Sequence, residues 1–146
     1  MTDETTRFRD EFKSGVNLSF AGTMNMDERK TVVMGATEKP GRYANLAAHS
    51  LLRHGHAIEL VGLKAGQIEG NPIRTGQPAI SNVDTVTMYV GPQNQPPLYE
   101  YIKSLKPRRV IFNPGAENPA FQEQLQAEGI EPIEACTLVM LSVGTY

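Results

Sequence analysis

The chain has 146 residues, a length typical of a single domain that can bury one substantial core. Its formal net charge of −2 gives no general basic field, so a small-molecule ligand is expected and nucleic acid is not. Its one cysteine, Cys136, excludes an intramolecular disulfide framework and favours a reducing cytoplasm. The first ten residues have no apolar core, which predicts neither a secretory signal nor a membrane anchor.

Residues 1–29 differ from the rest of the chain because their hydrophobic residues are sparse and irregularly spaced. We interpret this stretch as an N-terminal extension, a tail or short helix that packs on the body of the protein or on a second subunit. The body then comprises residues 30–146, and a homodimer held through the extension is one alternative for its assembly.

From residue 30 onward, the hydrophobic pattern alternates between strand and helix. Short β-branched runs predict strands over 31–34, 57–61, 83–90, 109–112 and 130–134. Apolar residues at helical spacing predict helices around 47–54, 98–105 and 121–125, which end near Gly55, Pro107 and Gly129. The glycine-rich stretch 62–77 is expected to be a loop or a degenerate crossover, with a short extended piece at 71–73.

This alternation predicts an α/β fold, a single Rossmann-like domain with a doubly wound, mainly parallel sheet in a three-layer α/β/α arrangement. Ligands of such folds bind at the carboxyl ends of the strands. Glycines follow the predicted strands there, namely Gly35, Gly62, Gly91 and Gly115. We expect Gly35 and Gly91 to be glycines because a ligand approaches the backbone at those points, and a need for positive φ is the alternative reason.

The turn 35–41 leads from a strand into a helix, so its backbone N–H groups and the positive helix end can face a phosphate. Lys39 and Arg42 flank this turn, and they are interpreted equally well as phosphate ligands or as solvated charges. The turn lacks the G-x-G-x-x-G spacing of NAD sites, because Thr37 stands where the middle glycine would be. Lys64 follows the second strand, where an NAD site has an acid, so a ligand with a phosphorylated ribose fits better.

Several stretches near the predicted strand ends form a recognisable combination. They are Val33-Met34-Gly35-Ala36-Thr37, Asn45, Gly55-His56, Lys64, Tyr89-Val90-Gly91-Pro92 and Asn113-Pro114-Gly115-Ala116-Glu117. Together, over residues 30–146, they resemble the CoA-binding domain family, most of all its short stand-alone bacterial members. They are also similar to the CoA-binding domain of the succinyl-CoA synthetase α subunit. That subunit has a further domain with a phosphorylated histidine, for which this chain has no room, so ligase chemistry is not expected.

The resemblance implies that CoA or an acyl-CoA lies over the strand ends. Gly35, Ala36 and Thr37 would then hold a phosphate, and Lys64 would lie near the phosphorylated ribose. Two further loops would complete the cleft. The resemblance implies that Val90, Gly91 and Pro92 border the adenine or the pantetheine, and that Pro114, Gly115, Ala116 and Glu117 form the loop beyond.

We find no nucleophile, base and orienting residue grouped as catalysis requires, and no spacing typical of a metal site. Cys136 is interpreted as a buried residue, with a reactive thiol near the nucleotide as the alternative. Arg108 and Arg109, at the strand end opposite the ligand, are interpreted as surface charges. The sequence thus predicts a non-catalytic binding module. The alternatives are a small Rossmann-fold oxidoreductase or acyl-CoA-using enzyme, and a self-associating scaffold with a relic cleft.

Overall fold

The computed structural model describes residues 29–146, so the predicted N-terminal extension lies outside the described residues apart from Arg29. The strands of the described part are β1 (Lys30–Met34), β2 (Ala57–Val61), β3 (Gly66–Ile68), β4 (Asn71–Arg74), β5 (Val83–Met88), β6 (Arg109–Phe112) and β7 (Glu131–Glu134). Its α-helices are α1 (Tyr43–Arg53), α2 (Tyr99–Ser104), α3 (Pro119–Ala127) and α4 (Thr137–Val143).

These strands join one sheet in the order β3-β4-β2-β1-β5-β6-β7. Every neighbouring pair is parallel except β3 and β4, which form an antiparallel hairpin at one edge. The central strand β1 lies between β2 and β5, and its Val33 is level with Leu60 on one side and with Thr87 on the other. The predicted doubly wound, mainly parallel sheet is confirmed.

Helices cover both faces of the sheet, because successive strand residues point to opposite sides. Val32 packs with Phe121 of α3 on one face, whereas Val33 packs with Leu51 of α1 and Leu141 of α4 on the other. Burying one such side chain contributes about 1.5–3 kcal/mol, so the two layers hold the strands firmly. The predicted three-layer arrangement is therefore also confirmed. In the part of the chain that the structure describes, no helix has the length and apolar character that crossing a membrane requires.

The stretch 62–77, predicted to be a loop or a degenerate crossover, contains the hairpin of β3 and β4. Ile68 and Ile73 are buried in the same cluster as α1, and β4 pairs with β2. Each of these strands buries only one apolar side chain, which is too few to produce a visible period of two in the sequence. The extended piece predicted at 71–73 is confirmed, and the connection from β4 to β5 contains no helix.

Other differences from the predicted elements are small. β5 ends at Met88 instead of residue 90, and α4 was not predicted from the sequence. The hydrophobic pattern of α4 is weak, because Leu141 is buried while Val139 and Val143 are more than half exposed. The helix ends predicted at Gly55 and Gly129 are confirmed, since both glycines adopt positive φ just after α1 and α3.

The interpretation of Arg109 as a surface charge is wrong, because its side chain is buried on the face of α1 and α4, with 5% of the residue exposed. Its Nε donates to Thr85 Oγ1 at 2.9 Å, and its Nη2 donates to the backbone oxygen of Tyr146 at 2.8 Å. The guanidinium also lies 4.5 Å from the centroid of the Tyr146 ring. These contacts offset the desolvation of the charge, and no local pattern reveals such distant partners. Arg108, by contrast, is exposed and pairs with Asp84.

Candidate functional site

The strand order changes direction at β1, and in doubly wound sheets such a change marks a ligand crevice at the carboxyl edge. The chain passes from β1 to β2 on one side and later returns to place β5 on the other side. The two strands stay joined beyond their ends, because the N–H of Tyr89 donates to the carbonyl of Met34 at 2.9 Å. Ligands of doubly wound sheets bind at such a point. The candidate site is therefore the cleft formed by the loops that follow β1, β2, β5 and β6.

The first loop of this cleft follows β1 and has two distinct parts. The N–H groups of Gly35 and Ala36 both donate to the carbonyl of Val61 at 2.9 Å, so the fold itself uses these donors. The N–H groups of Thr37 and Glu38 have no hydrogen-bond acceptor among residues 29–146. The backbone donors that remain for an anion are therefore those of Thr37 and Glu38, which come after the strand end in the chain.

The amino end of α1 adds to these donors. The N-cap residue Arg42 makes no side-chain capping bond, and the first turn contains no acid. The first turn of a helix carries unpaired N–H groups and a partial positive charge, which an anion can satisfy. Thr37 is held in front of the helix, because its carbonyl accepts from the buried Asn45 Nδ2 at 2.9 Å. Lys39 and Arg42 are both exposed beside this loop.

The second loop, which follows β2 and carries Lys64, lies directly against the first. A side chain at Gly62 would overlap the carbonyl oxygen of Ala36, so the two backbones touch at this point. Further along, the N–H of Gln67 donates to Glu38 Oε2 at 2.7 Å. This bond turns the carboxylate of Glu38 toward the second loop. Lys64 is exposed on that loop.

The third loop follows β5 and contains Val90, Gly91 and Pro92. Gly35 packs against it, because a Cβ at Gly35 would lie 3.2 Å from Tyr89 C and 3.2 Å from Val90 Cγ2. Gly35 also has φ +97, a conformation that strongly favours glycine. The close packing and the positive φ therefore explain why residue 35 is a glycine, and no ligand is needed for that explanation. Gly91 has an ordinary φ of −62, and a Cβ there would meet only the side-chain amide of Gln93, at 3.1 Å from its Oε1.

The fourth loop follows β6 and contains Pro114, Gly115, Ala116 and Glu117. Pro114, Gly115 and Glu117 are exposed, whereas Ala116 is buried in the core. The carboxylate of Glu117 accepts from the N–H of Gly115 at 2.9 Å, so it stabilises its own loop. Glu117 precedes the N-cap of α3 and does not lie in the first turn of that helix. The sequence-predicted residues therefore lie on four adjacent loops, and the structure gives them different exposures.

Sequence reasoning missed the buried amide of Gln95, which lies beneath the third and fourth loops. Its Nε2 donates to the carbonyl of Val90 at 2.9 Å and to the carbonyl of Ala116 at 2.8 Å. Its Oε1 accepts from Asn118 Nδ2 at 2.9 Å. The Asn118–Pro119 pair is a recognisable helix start that could have drawn attention to Asn118. No sequence feature marks Gln95, which follows two exposed residues and is itself fully buried.

A second buried amide, Asn113, holds the end of β6. Its Nδ2 donates to Thr87 Oγ1 at 2.8 Å, and its Oδ1 accepts from the N–H of Thr137 at 2.9 Å. Thr137 opens α4, so Asn113 joins three elements behind the cleft. Cys136, the preceding residue, is half-buried, and burial raises the pKa of the nearby Tyr89 to about 12. The phenol of Tyr89 is therefore neutral at physiological pH.

The three histidines do not lie among the cleft loops. His49 contacts Glu69 of the hairpin turn, and His54 Nδ1 lies 2.8 Å from the carbonyl of Ser50 at the end of α1. His56 precedes β2 at the opposite edge of the sheet, and burial lowers its pKa. Within residues 29–146, no group of three or more His, Cys, Asp or Glu side chains is placed to hold a metal ion.

Two surface cavities lie elsewhere on the molecule. One of about 510 Å³ lies between α2 and the segment before β5, where Tyr101 donates to the carbonyl of Pro78 at 2.6 Å. The other, of about 260 Å³, lies beside β2 and β4, where Glu59 accepts from Arg74 Nη2 at 3.1 Å. Neither is lined by residues of the four cleft loops. Glu100 of the first cavity pairs with Lys103, and Glu59 and Arg74 of the second pair with each other, so we place the ligand in the cleft.

Comparison with known proteins identifies the family. The profile of a family described as a CoA binding domain matches residues 29–142, which include all four cleft loops. The chain belongs to this family. The predicted resemblance is therefore confirmed. No curated protein matches the chain.

Solved structures support the same fold for this CoA-binding domain. A crystal structure of an uncharacterized protein is 54% identical, with a TM-score of 0.79, and covers 82% of this chain and 98% of that chain. A hypothetical protein from Pyrococcus horikoshii OT3 has a TM-score of 0.72 at 19% identity, with coverages of 86% and 89%. A dinucleotide-forming acetyl-coenzyme A synthetase 1 from Ca. Korarchaeum cryptofilum, solved with phosphate and ADP, has a TM-score of 0.60 at 12% identity. The match covers 76% of this chain and 26% of the synthetase. At such low identities, the last two show the fold alone.

Proposed function

We propose that this protein binds CoA or an acyl-CoA in the cleft and acts as a binding module without catalytic chemistry of its own. The observation that carries the proposal is the pair of unused N–H groups at Thr37 and Glu38, in front of an uncapped helix. These donors lie at the strand crossover point where doubly wound sheets bind nucleotides. Membership of the CoA-binding domain family supports the choice of nucleotide.

The proposed roles of the predicted residues follow from their exposure and contacts. The donors of Thr37 and the first turn of α1 hold the diphosphate, and Lys39 and Arg42 supply exposed positive charge. Gly35 and Ala36 shape this loop, since their own N–H groups are used by Val61. Lys64 binds the ribose phosphate that distinguishes CoA from NAD.

The remaining loops border the organic part of the ligand. Val90, Gly91 and Pro92 face the adenine or the pantetheine, and Pro114, Gly115 and Glu117 close the far side. Ala116 supports that loop from the core. We place the protein in a reducing cytoplasm, because its single cysteine has no partner thiol in the chain.

Calorimetric titration tests this function and the role of Lys64 together. We expect the wild-type protein to bind CoA more tightly than dephospho-CoA, and to bind NAD weakly. A charge-assisted contact contributes about 1.5–3 kcal/mol, so Lys64→Ala should weaken CoA binding by about 10- to 100-fold and leave dephospho-CoA binding unchanged. Arg53→Ala, which removes an exposed charge at the far end of α1, is the matched control. Equal affinities of the wild-type protein for CoA and dephospho-CoA would show that Lys64 does not bind the ribose phosphate.

A second prediction concerns Gly91, whose backbone conformation any residue can adopt. Gly91→Val should remain folded, because the new side chain meets only the flexible side chain of Gln93. The added bulk should crowd the cleft and lower CoA affinity by at least about tenfold, which equals roughly 1.4 kcal/mol. A melting curve and a CoA titration on the variant measure both effects. Normal CoA binding by a folded variant would show that this loop does not line the site.

A further inference from the structure

We propose that Gln95 is the positioning residue of the cleft, whose buried amide fixes the third loop against the fourth. This inference rests on the proposed function, because it assigns to Gln95 an indirect part in binding CoA. Gln95 does not itself contact the ligand. Gln95 is fully buried and lies between the two loops in space. It acts on the ligand through the backbone of its neighbours.

The two hydrogen bonds from Gln95 Nε2 define this role. One goes to the carbonyl of Val90 on the third loop, and the other goes to the carbonyl of Ala116 on the fourth. Both protons of a single amide group are thus used, one on each loop. Because the amide is planar and rigid, the separation of the two carbonyls is fixed by its geometry. No other hydrogen bond of the described residues joins residues 90–92 to residues 114–117.

The orientation of the amide is itself fixed from the other side. Asn118 Nδ2 donates to Gln95 Oε1 at 2.9 Å and to the hydroxyl of Tyr99 at 2.9 Å. Asn118 Oδ1 accepts from the N–H of Phe121 at 3.1 Å, which anchors Asn118 as the N-cap of α3. The bond from Asn118 to Oε1 therefore keeps the Nε2 group of Gln95 toward the two loops.

This network connects the cleft to the hydrophobic core. The ring of Tyr99 stacks on Phe121 with centroids 4.2 Å apart, and Phe121 is fully buried. The spacing of the two loops is thus set by the packing of α3 in the core. Loss of the Gln95 amide should free both loops at once, because each buried carbonyl would lose its donor.

The test replaces Gln95 by methionine, which has a similar length and no hydrogen-bonding group. We expect Gln95→Met to bind CoA at least about tenfold more weakly than wild type, measured at a temperature where both proteins are fully folded. We also expect faster amide hydrogen exchange in residues 89–95 and 114–118 together. Gln95→Asn provides a second variant if the methionine protein does not fold, because its shorter side chain cannot reach both carbonyls.

The matched control is Arg109→Met, which removes buried hydrogen bonds at the opposite edge of the sheet. It should lower the melting temperature without changing CoA affinity or exchange in the two loops. A folded Gln95 variant that binds CoA with wild-type affinity would overturn the inference. If the wild-type protein bound no CoA, the proposed function would fail, and the exchange data would decide alone whether Gln95 couples the two loops.

Discussion

Replacing Gly62 by alanine is expected to lower the free energy of unfolding by about 1–3 kcal/mol or more. The reason is steric, because the new methyl group would overlap the carbonyl oxygen of Ala36 and lie 3.1 Å from Ile73 Cγ2. A carbonyl oxygen in the backbone cannot turn away as a flexible side chain can. The first and second loops of the cleft must therefore separate, and the melting temperature and the CoA affinity should fall together.

Gly91→Ala is the matched control for this substitution, because it adds the same methyl group at the same edge of the sheet. Its φ is ordinary, and only the movable side chain of Gln93 is close. At such relaxed positions, the change from glycine to alanine commonly stabilises a protein by about 0.4–1 kcal/mol. Chemical denaturation of both variants measures the difference. Equal stabilities of Gly62→Ala and Gly91→Ala would show that the first and second loops can separate without lowering the free energy of unfolding.

Tyr146→Ala is expected to destabilise the protein by about 2–4 kcal/mol. The Tyr146 ring lies over the buried guanidinium of Arg109, and its edge packs against the ring of His56 with centroids 4.8 Å apart. Its hydroxyl is hydrogen-bonded to Thr31 Oγ1. Removing the ring exposes apolar surface and leaves a buried charge without its aromatic neighbour, and both effects favour the unfolded state.

Tyr146→Phe separates the ring from the hydroxyl. It keeps the contact with Arg109 and loses only the hydrogen bond to Thr31, which is worth about 0.5–1.5 kcal/mol. Urea denaturation of the three proteins should therefore place the phenylalanine variant much closer to wild type than to the alanine variant. An alanine variant within about 0.5 kcal/mol of wild type would contradict the role that we give to the ring.

The sheet was predictable from the sequence because its central strands are buried on both faces. Runs such as 32–34 and 110–112 are apolar without alternation, which is typical of parallel strands. The helix ends at Gly55 and Gly129 were also predictable, because glycine readily adopts the positive φ that ends a helix. The hairpin of β3 and β4 was not predictable, because β4 depends on pairing with β2, and β3 on pairing with β4, instead of on their own pattern.

The cleft was predictable only as a set of loops. Strand ends and glycines locate the four loops, and the family resemblance suggests a ligand. Sequence cannot show that the N–H groups of Gly35 and Ala36 are already used by Val61, since those bonds join the ends of two strands. The same limit applies to Gln95 and Arg109, whose burial depends on partners that are distant in the chain. Polar residues look alike in a sequence whether they are buried or solvated.

The parallel pairing of β1 with β5 has a consequence for how the protein folds. These strands frame the cleft, yet α1, β2 and the hairpin separate them in the sequence. Closing such a long intervening segment costs entropy before the pairing gives any stabilisation, so contacts of this kind slow folding. The first two loops of the cleft belong to the local unit of β1, α1 and β2, but the third loop depends on this long-range pairing. On a growing chain, the site can assemble only after β5 has been synthesised and has paired with β1.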